Sequence, residues 1–99
     1  MITEVNASDR AQVRAPVIDE GLTVAFTAHL RGAPRADVRQ AVAAFVADAK
    51  RGLTPPQDVI VALKAHLQRD VQPHVGADEF RLLVQTVVGW GIEEYYRES

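Results

Sequence analysis

The chain contains no cysteine. Disulfides, thiolate metal sites and a thiol nucleophile are thereby excluded, and the redox compartment stays open. An excess of one charge is also missing: 11 basic residues stand against 13 acidic ones, for a net charge of -2. The basic residues do not cluster strongly, so the balance speaks against a surface for nucleic acid or for an anionic membrane. No apolar stretch approaches the about 18 residues that a membrane-spanning helix needs. The opening Met1-Ile2-Thr3-Glu4 lacks a basic region followed by an apolar run, so no signal peptide is expected, and a cytoplasmic location is the default. Nor does the chain hold an HExxH pair, a phosphate-binding glycine loop or a nucleophile elbow. No catalytic, metal or cofactor site is read, and the chain is expected not to be an enzyme.

What is present is a small globule. Ninety-nine residues make one domain with one core. Hydrophobic residues at 47% against charged residues at 24%, without low complexity, predict folding rather than disorder. The clearest local signal is Arg51-Gly52-Leu53-Thr54-Pro55-Pro56. Gly52 suits the left-handed position just past a helix end, and Leu53 can fold back onto the last turn. Thr54 is a good N-cap and Pro55 fits the first helical position. The run predicts two antiparallel helices and sets their phase.

Residues 1–17 read as a polar tail or a short helix, and 18–99 as the single helical domain. Residues 18–31 carry two patterns. Leu22, Phe26 and Leu30 recur at helical spacing behind Asp19 and Glu20. The same stretch alternates as Leu22, Val24, Phe26, Ala28, a strand pattern, and Asp19-Glu20-Gly21 would turn a hairpin back to residues 13–18. A lone hairpin is marginal without a sheet, so helix is the preferred reading. Residues 36–51 form the cleanest helix, with Val38, Ala41, Val42, Phe45 and Ala49 on one face. Residues 55–70 follow, with Pro56, Val59, Ile60, Leu63 and Leu67 as the stripe, and a last helix spans about residues 77–97. The fold class is all-α, a bundle of three to four helices.

The last helix is apolar on more than one side. Phe80, Leu83, Val84, Val87 and Gly91 make one face, while Leu82, Val88, Ile92 and Tyr96 point away from it. Either this helix is wrapped on several sides or it meets another chain; a homodimer along the outer side and an N-terminal segment folded across it are the two expectations. Gly89-Trp90-Gly91 interrupts the helix at a cost of roughly 1 kcal/mol per glycine, which suits close packing or a kink. Trp90 reads as core packing. Tyr96 reads as an interface residue.

Three histidines are the candidates for chemistry. His29, in Thr27-Ala28-His29-Leu30-Arg31-Gly32, distantly resembles the exposed histidine of bacterial phosphotransfer bundles, in which a lysine follows three residues on and a glycine comes next. Here the basic residue and glycine come one position too early, and Pro34 ends the helix where that family continues it. His66 and His74, with Asp70, match no established metal spacing, and His66 to Asp70 is an ordinary i, i+4 pair. Glu93 and Glu94 diverge by about 100 degrees and share no substrate. A helix-turn-helix reading fails on the helix after the turn, where Asp58, Lys64, His66, Arg69 and Asp70 suit a phosphate backbone poorly.

Gly52-Leu53-Thr54-Pro55-Pro56-Gln57-Asp58-Val59-Ile60-Val61-Ala62-Leu63-Lys64 and the later Val87-Val88-Gly89-Trp90-Gly91-Ile92-Glu93-Glu94-Tyr95-Tyr96 resemble a set of small bacterial helical proteins. Those share a Gly-Leu-x-Pro-Glu-x-Val-Leu-Val-x-Leu-Lys block and a terminal Trp-x-Ile-Glu-x-Tyr-Tyr block. Pro56-Gln57 departs from their Pro-Glu. The resemblance spans roughly residues 38–97 and implies a bacterial helical domain without a mechanism. The functional expectation is a non-catalytic module that binds another protein or a second copy of itself, with no nucleic acid and no membrane. Its expected interface is Leu82, Ile92 and Tyr96 on the last helix with Val61 and Lys64 on the one before. A histidine phosphotransfer module using His29 or His66 is the alternative, and a small DNA-binding regulator the lesser one.

Overall fold

The structure is a computed structural model that describes residues 19–97. The described residues hold four α-helices and one 3-10 turn: α1 (Glu20–Leu30), α2 (Arg35–Arg51), α3 (Pro56–Asp70), the turn Gln72–His74, and α4 (Ala77–Tyr96). No strand occurs among the described residues, so the fold is an all-α bundle. The tail reading for residues 1–17 lies outside the described residues.

Residues 20–30 resolve the double pattern as helix. The Asp19 carboxylate accepts the Leu22 N–H at 2.9 Å and caps the first turn. Leu22 and Phe26, four residues apart, are fully buried, while Val24 of the alternating set is exposed. A strand would have placed Val24 on the same face as both. Beyond α1, the Gly32 N–H donates to the His29 carbonyl and the Ala33 N–H to the Ala28 carbonyl. Gly32 takes φ 107, and the pair of bonds is a Schellman closure.

The α2–α3 junction is one residue out of the predicted phase. Leu53 N–H donates to the Lys50 carbonyl and Thr54 N–H to the Ala49 carbonyl, again a Schellman closure. The left-handed residue is Leu53, at φ 60, and not Gly52, whose φ is -85. Leu53 does not fold back: it is 87% exposed. Thr54 is not the cap either. Pro55 occupies the N-cap with no side-chain bond, and Pro56 stands at the first helical position. The two consecutive prolines shift the start by one residue, because Pro56 fits that position as well as Pro55 does.

α1 and α4 each pack against both α2 and α3. The consecutive helices α2 and α3 therefore face one another across the bundle and meet through side chains such as Phe45 and His66, whose ring centroids lie 6.0 Å apart. Six of the eleven residues in the central buried cluster are valine, spread over α2, α3, Val71 and α4. Valine is a mediocre helix former, so these helices depend on mutual burial more than on local preference. Val46 of α2, absent from the predicted stripe, is fully buried with Val38 and Val42.

Candidate functional site

α4 is held from two sides, and this fixes its outer face. Leu83, Val87 and Gly91 are buried toward α2 and α3. A Cβ on Gly91 would stand 2.6 Å from Leu63 Cδ1, so the Leu63 side chain fills the space that the missing side chain leaves. At the C-terminal end the Tyr95 hydroxyl donates to the Thr54 carbonyl at 2.6 Å. Lys50 Nζ donates to the Arg97 carbonyl at 3.1 Å. Trp90 is half-buried against the core with the Arg39 guanidinium 5.7 Å above its ring, and Arg39 also reaches Glu93 at 3.9 Å.

Opposite that packed face lies a continuous line of residues 82, 85, 89, 92 and 96. At about 100 degrees per residue they fall within an arc of about 80 degrees, centred about 180 degrees from Val87. Leu82 is 61% exposed, Ile92 42% and Tyr96 67%. A Cβ on Gly89, midway along the line, would meet nothing within 4 Å. The two glycines of Gly89-Trp90-Gly91 therefore differ. One is needed inside the chain, and the other has no internal use. The alternating spacing of three and four residues is that of a helix-pairing seam. Val61 and Lys64 are also exposed, on the outward side of α3 between Gln57 and Gln68, in polar surroundings.

The histidines are not gathered into a site. His66 is interior at 3% exposure, held from both sides. Its Nδ1–H donates to the Ala62 carbonyl at 2.9 Å, and its Nε2 accepts the Asp19 N–H at 2.9 Å. Both ring nitrogens are thus engaged, and neither is free for a metal or a phosphoryl group. The expected pairing of His66 with Asp70 is not made. Asp70 instead takes Arg69 at 2.8 Å and the Thr23 hydroxyl at 3.1 Å. The Arg69 hydrogen bonds hold the Asp70 carboxyl below the usual carboxylate range. Partial burial opposes them and Thr23 adds to them. His29 is half-buried in the last turn of α1, and its Nδ1–H donates to the Ala33 carbonyl at 3.1 Å. His74 is exposed. No group of three or more His, Cys, Asp or Glu side chains among the described residues is placed to hold a metal.

The concavities are shallow. An open trough of about 760 Å³ runs between α1 and α2 over Gly21, Ala25, Ala28, Ala41 and Ala44. A smaller crevice of about 300 Å³ lies by Thr54 and Asp58. A third, of about 390 Å³, is lined by Thr27, Leu30, Arg31, Asp70 and His74. No helix among the described residues is long and apolar enough to cross a membrane. Comparisons with protein-family models, with curated proteins and with solved structures give no match.

Proposed function

We propose that this chain is a non-catalytic protein–protein interaction module of bacterial type, and that it binds its partner along the outer face of α4. The supporting observation is the line of Leu82, Ile92 and Tyr96, all exposed, with Gly89 open between them. Large apolar side chains aligned on one exposed face are the mark of a surface that another protein covers. Tyr is among the residues that carry binding energy at such surfaces. Charge supports the same class, since a net charge of -2 gives little attraction for nucleic acid. Val61 and Lys64 stand among glutamines and carry no part of the proposal.

The test is photo-cross-linking in cells of the native host. A photoreactive phenylalanine is placed at position 82 or 96, and at position 68 on the outward face of α3 as a control. Covalent adducts of discrete mass should form from positions 82 and 96 and be absent from 68. No adduct from either α4 position would sink the proposal.

A further inference from the structure

We infer that the crevice between α2 and α3 is the docking site of this chain's own residues 13–18, with Val17 and Ile18 on its apolar lining and Arg14 at its acidic edge. The position of Asp19 carries the inference. Asp19 lines the crevice, and its backbone N–H is held on His66 Nε2 at 2.9 Å, so the chain enters α1 at this opening. Asp19 is extended, with φ -94 and ψ 112, which directs the preceding chain away from the α1 axis. A chain advances at most about 3.6 Å per residue, so Ile18 stands at the crevice mouth and Arg14 within about 18 Å of Asp19. An occupant tethered beside its site acts at a millimolar effective concentration, which a separate partner has to exceed.

The crevice and the segment match in apolar character. Phe45, Ala49, Val59 and Ala62 line it, and Phe45 stays half-buried although its ring packs against His66. Val17 and Ile18 are the apolar pair next to Asp19. The residue before an N-cap often packs on the fourth residue of its helix. In α1 that fourth residue is Thr23, whose hydroxyl is bonded to Asp70 and Arg69, so α1 offers Ile18 no apolar partner of that kind. The crevice does. Charge matches as well. Asp19, Asp48 and Asp58 stand around the crevice, and no Lys or Arg among the described residues lines it. The Asp19 carboxylate caps α1, and Asp48 is paired with Arg51. Asp58 has no cation partner among the described residues. Residues 10–18 carry Arg10 and Arg14 and no acid. Arg14, the nearer to Asp19, is therefore assigned to Asp58.

The absence of native cysteine allows a single nitroxide label on the full chain. Placed on Ala11→Cys, the label should broaden the amide signals of residues 45–49 and 58–62 more strongly than those of residues 82–92 on α4. Arg14→Glu should lower the melting temperature by about 2–5 °C, as loss of an exposed ion pair does in a domain of this size. Asp58→Lys should lower it too, and the two together should cost less than their sum, because the swapped pair attracts again. Val17→Ser should lower it by about 4–8 °C through lost apolar burial. Broadening centred on residues 82–92 would overturn the inference and would also remove the free face on which the α4 interface depends. Broadening spread evenly over the surface would overturn the inference alone. Crevice broadening that faded on dilution would assign the segment to a second copy and overturn docking within the chain. Additive effects of Arg14→Glu and Asp58→Lys would overturn the pairing of Arg14 with Asp58.

Discussion

Gly89 and Gly91 are two residues apart on one helix and predict opposite responses to the same substitution. Gly89→Ala adds a methyl group into open space and removes the conformational cost of a mid-helix glycine. It should stabilise the isolated chain by about 1 kcal/mol. Gly91→Ala places its Cβ 2.6 Å from Leu63 Cδ1, and both residues are buried, so α3 and α4 must separate or Leu63 must leave its rotamer. The cost should be about 1–3 kcal/mol. Denaturant melts at low protein concentration check both, and equal shifts would show that the two faces of α4 are not distinguished as described. Leu53 is the third informative residue. A non-glycine residue in the left-handed region bears about 1–2 kcal/mol of strain, and an 87% exposed side chain recovers little of it. Leu53→Gly should therefore raise stability by about 0.5–1 kcal/mol, after the extra freedom of glycine in the unfolded chain is subtracted. An unchanged or lower melting temperature would show that Leu53 makes contacts that repay the strain.

Among the elements, α1 is the one whose attachment is polar as well as apolar. Its N-terminal backbone is tied to His66 through the Asp19 N–H, and its Thr23 hydroxyl joins the Arg69–Asp70 pair. Because the folded state lowers the proton affinity of Asp70, the unfolded chain binds a proton there more readily. The stabilisation is complete above the ordinary carboxylate range of about pH 4 and is lost as pH falls through the lower folded value. Asp70→Asn should cost about 1 kcal/mol at neutral pH, and its deficit against wild type should shrink below about pH 4. A deficit that stayed constant with pH would assign it to shape instead of charge. Some of this attachment was legible in the sequence. Leu22 and Phe26 announced the helix, but Asp19 reads there as a first-turn acid beside Glu20, and its capping role belongs to the structure. His66 flanks the stripe of Val59, Leu63 and Leu67, but its spacing to Asp70 reads as an ordinary i, i+4 pair, and its burial comes with the fold. Its acceptor role was not visible, because the Asp19 N–H lies 47 residues away. At the junction, composition misled: Gly52 is the residue that tolerates positive φ, yet the hydrogen bonds of the closing turn put Leu53 there. Local preference yields when the length of the connection is fixed by packing at both of its ends.

At the scale of the whole molecule, the arrangement of four helices decides which surface is left over. α2 and α3 are each flanked by α1 and α4, so the diagonal pair shares the central valine cluster. α4 spends one face on that cluster and keeps an apolar line on the other. The periodicity already sets Leu82, Val88, Ile92 and Tyr96 apart from the main stripe; the arrangement leaves Leu82, Ile92 and Tyr96 exposed and Val88 half-buried. This yields a separation of folding from association. Leu82, Ile92 and Tyr96 are exposed in the folded chain, so substituting Leu82→Gln together with Tyr96→Glu removes little burial. In dilute solution the double variant should unfold within about 0.5 kcal/mol of wild type, as surface substitutions do. Where the partner is a second copy of the chain, wild type should gain stability with concentration from the micromolar range upward, because association favours the folded state, and the double variant should not. Thermal melts over a range of concentrations, read beside sedimentation, measure both. A loss of several kcal/mol in the dilute sample would mean that the chain itself covers the line. Concentration dependence retained in the variant would move the interface elsewhere on the molecule.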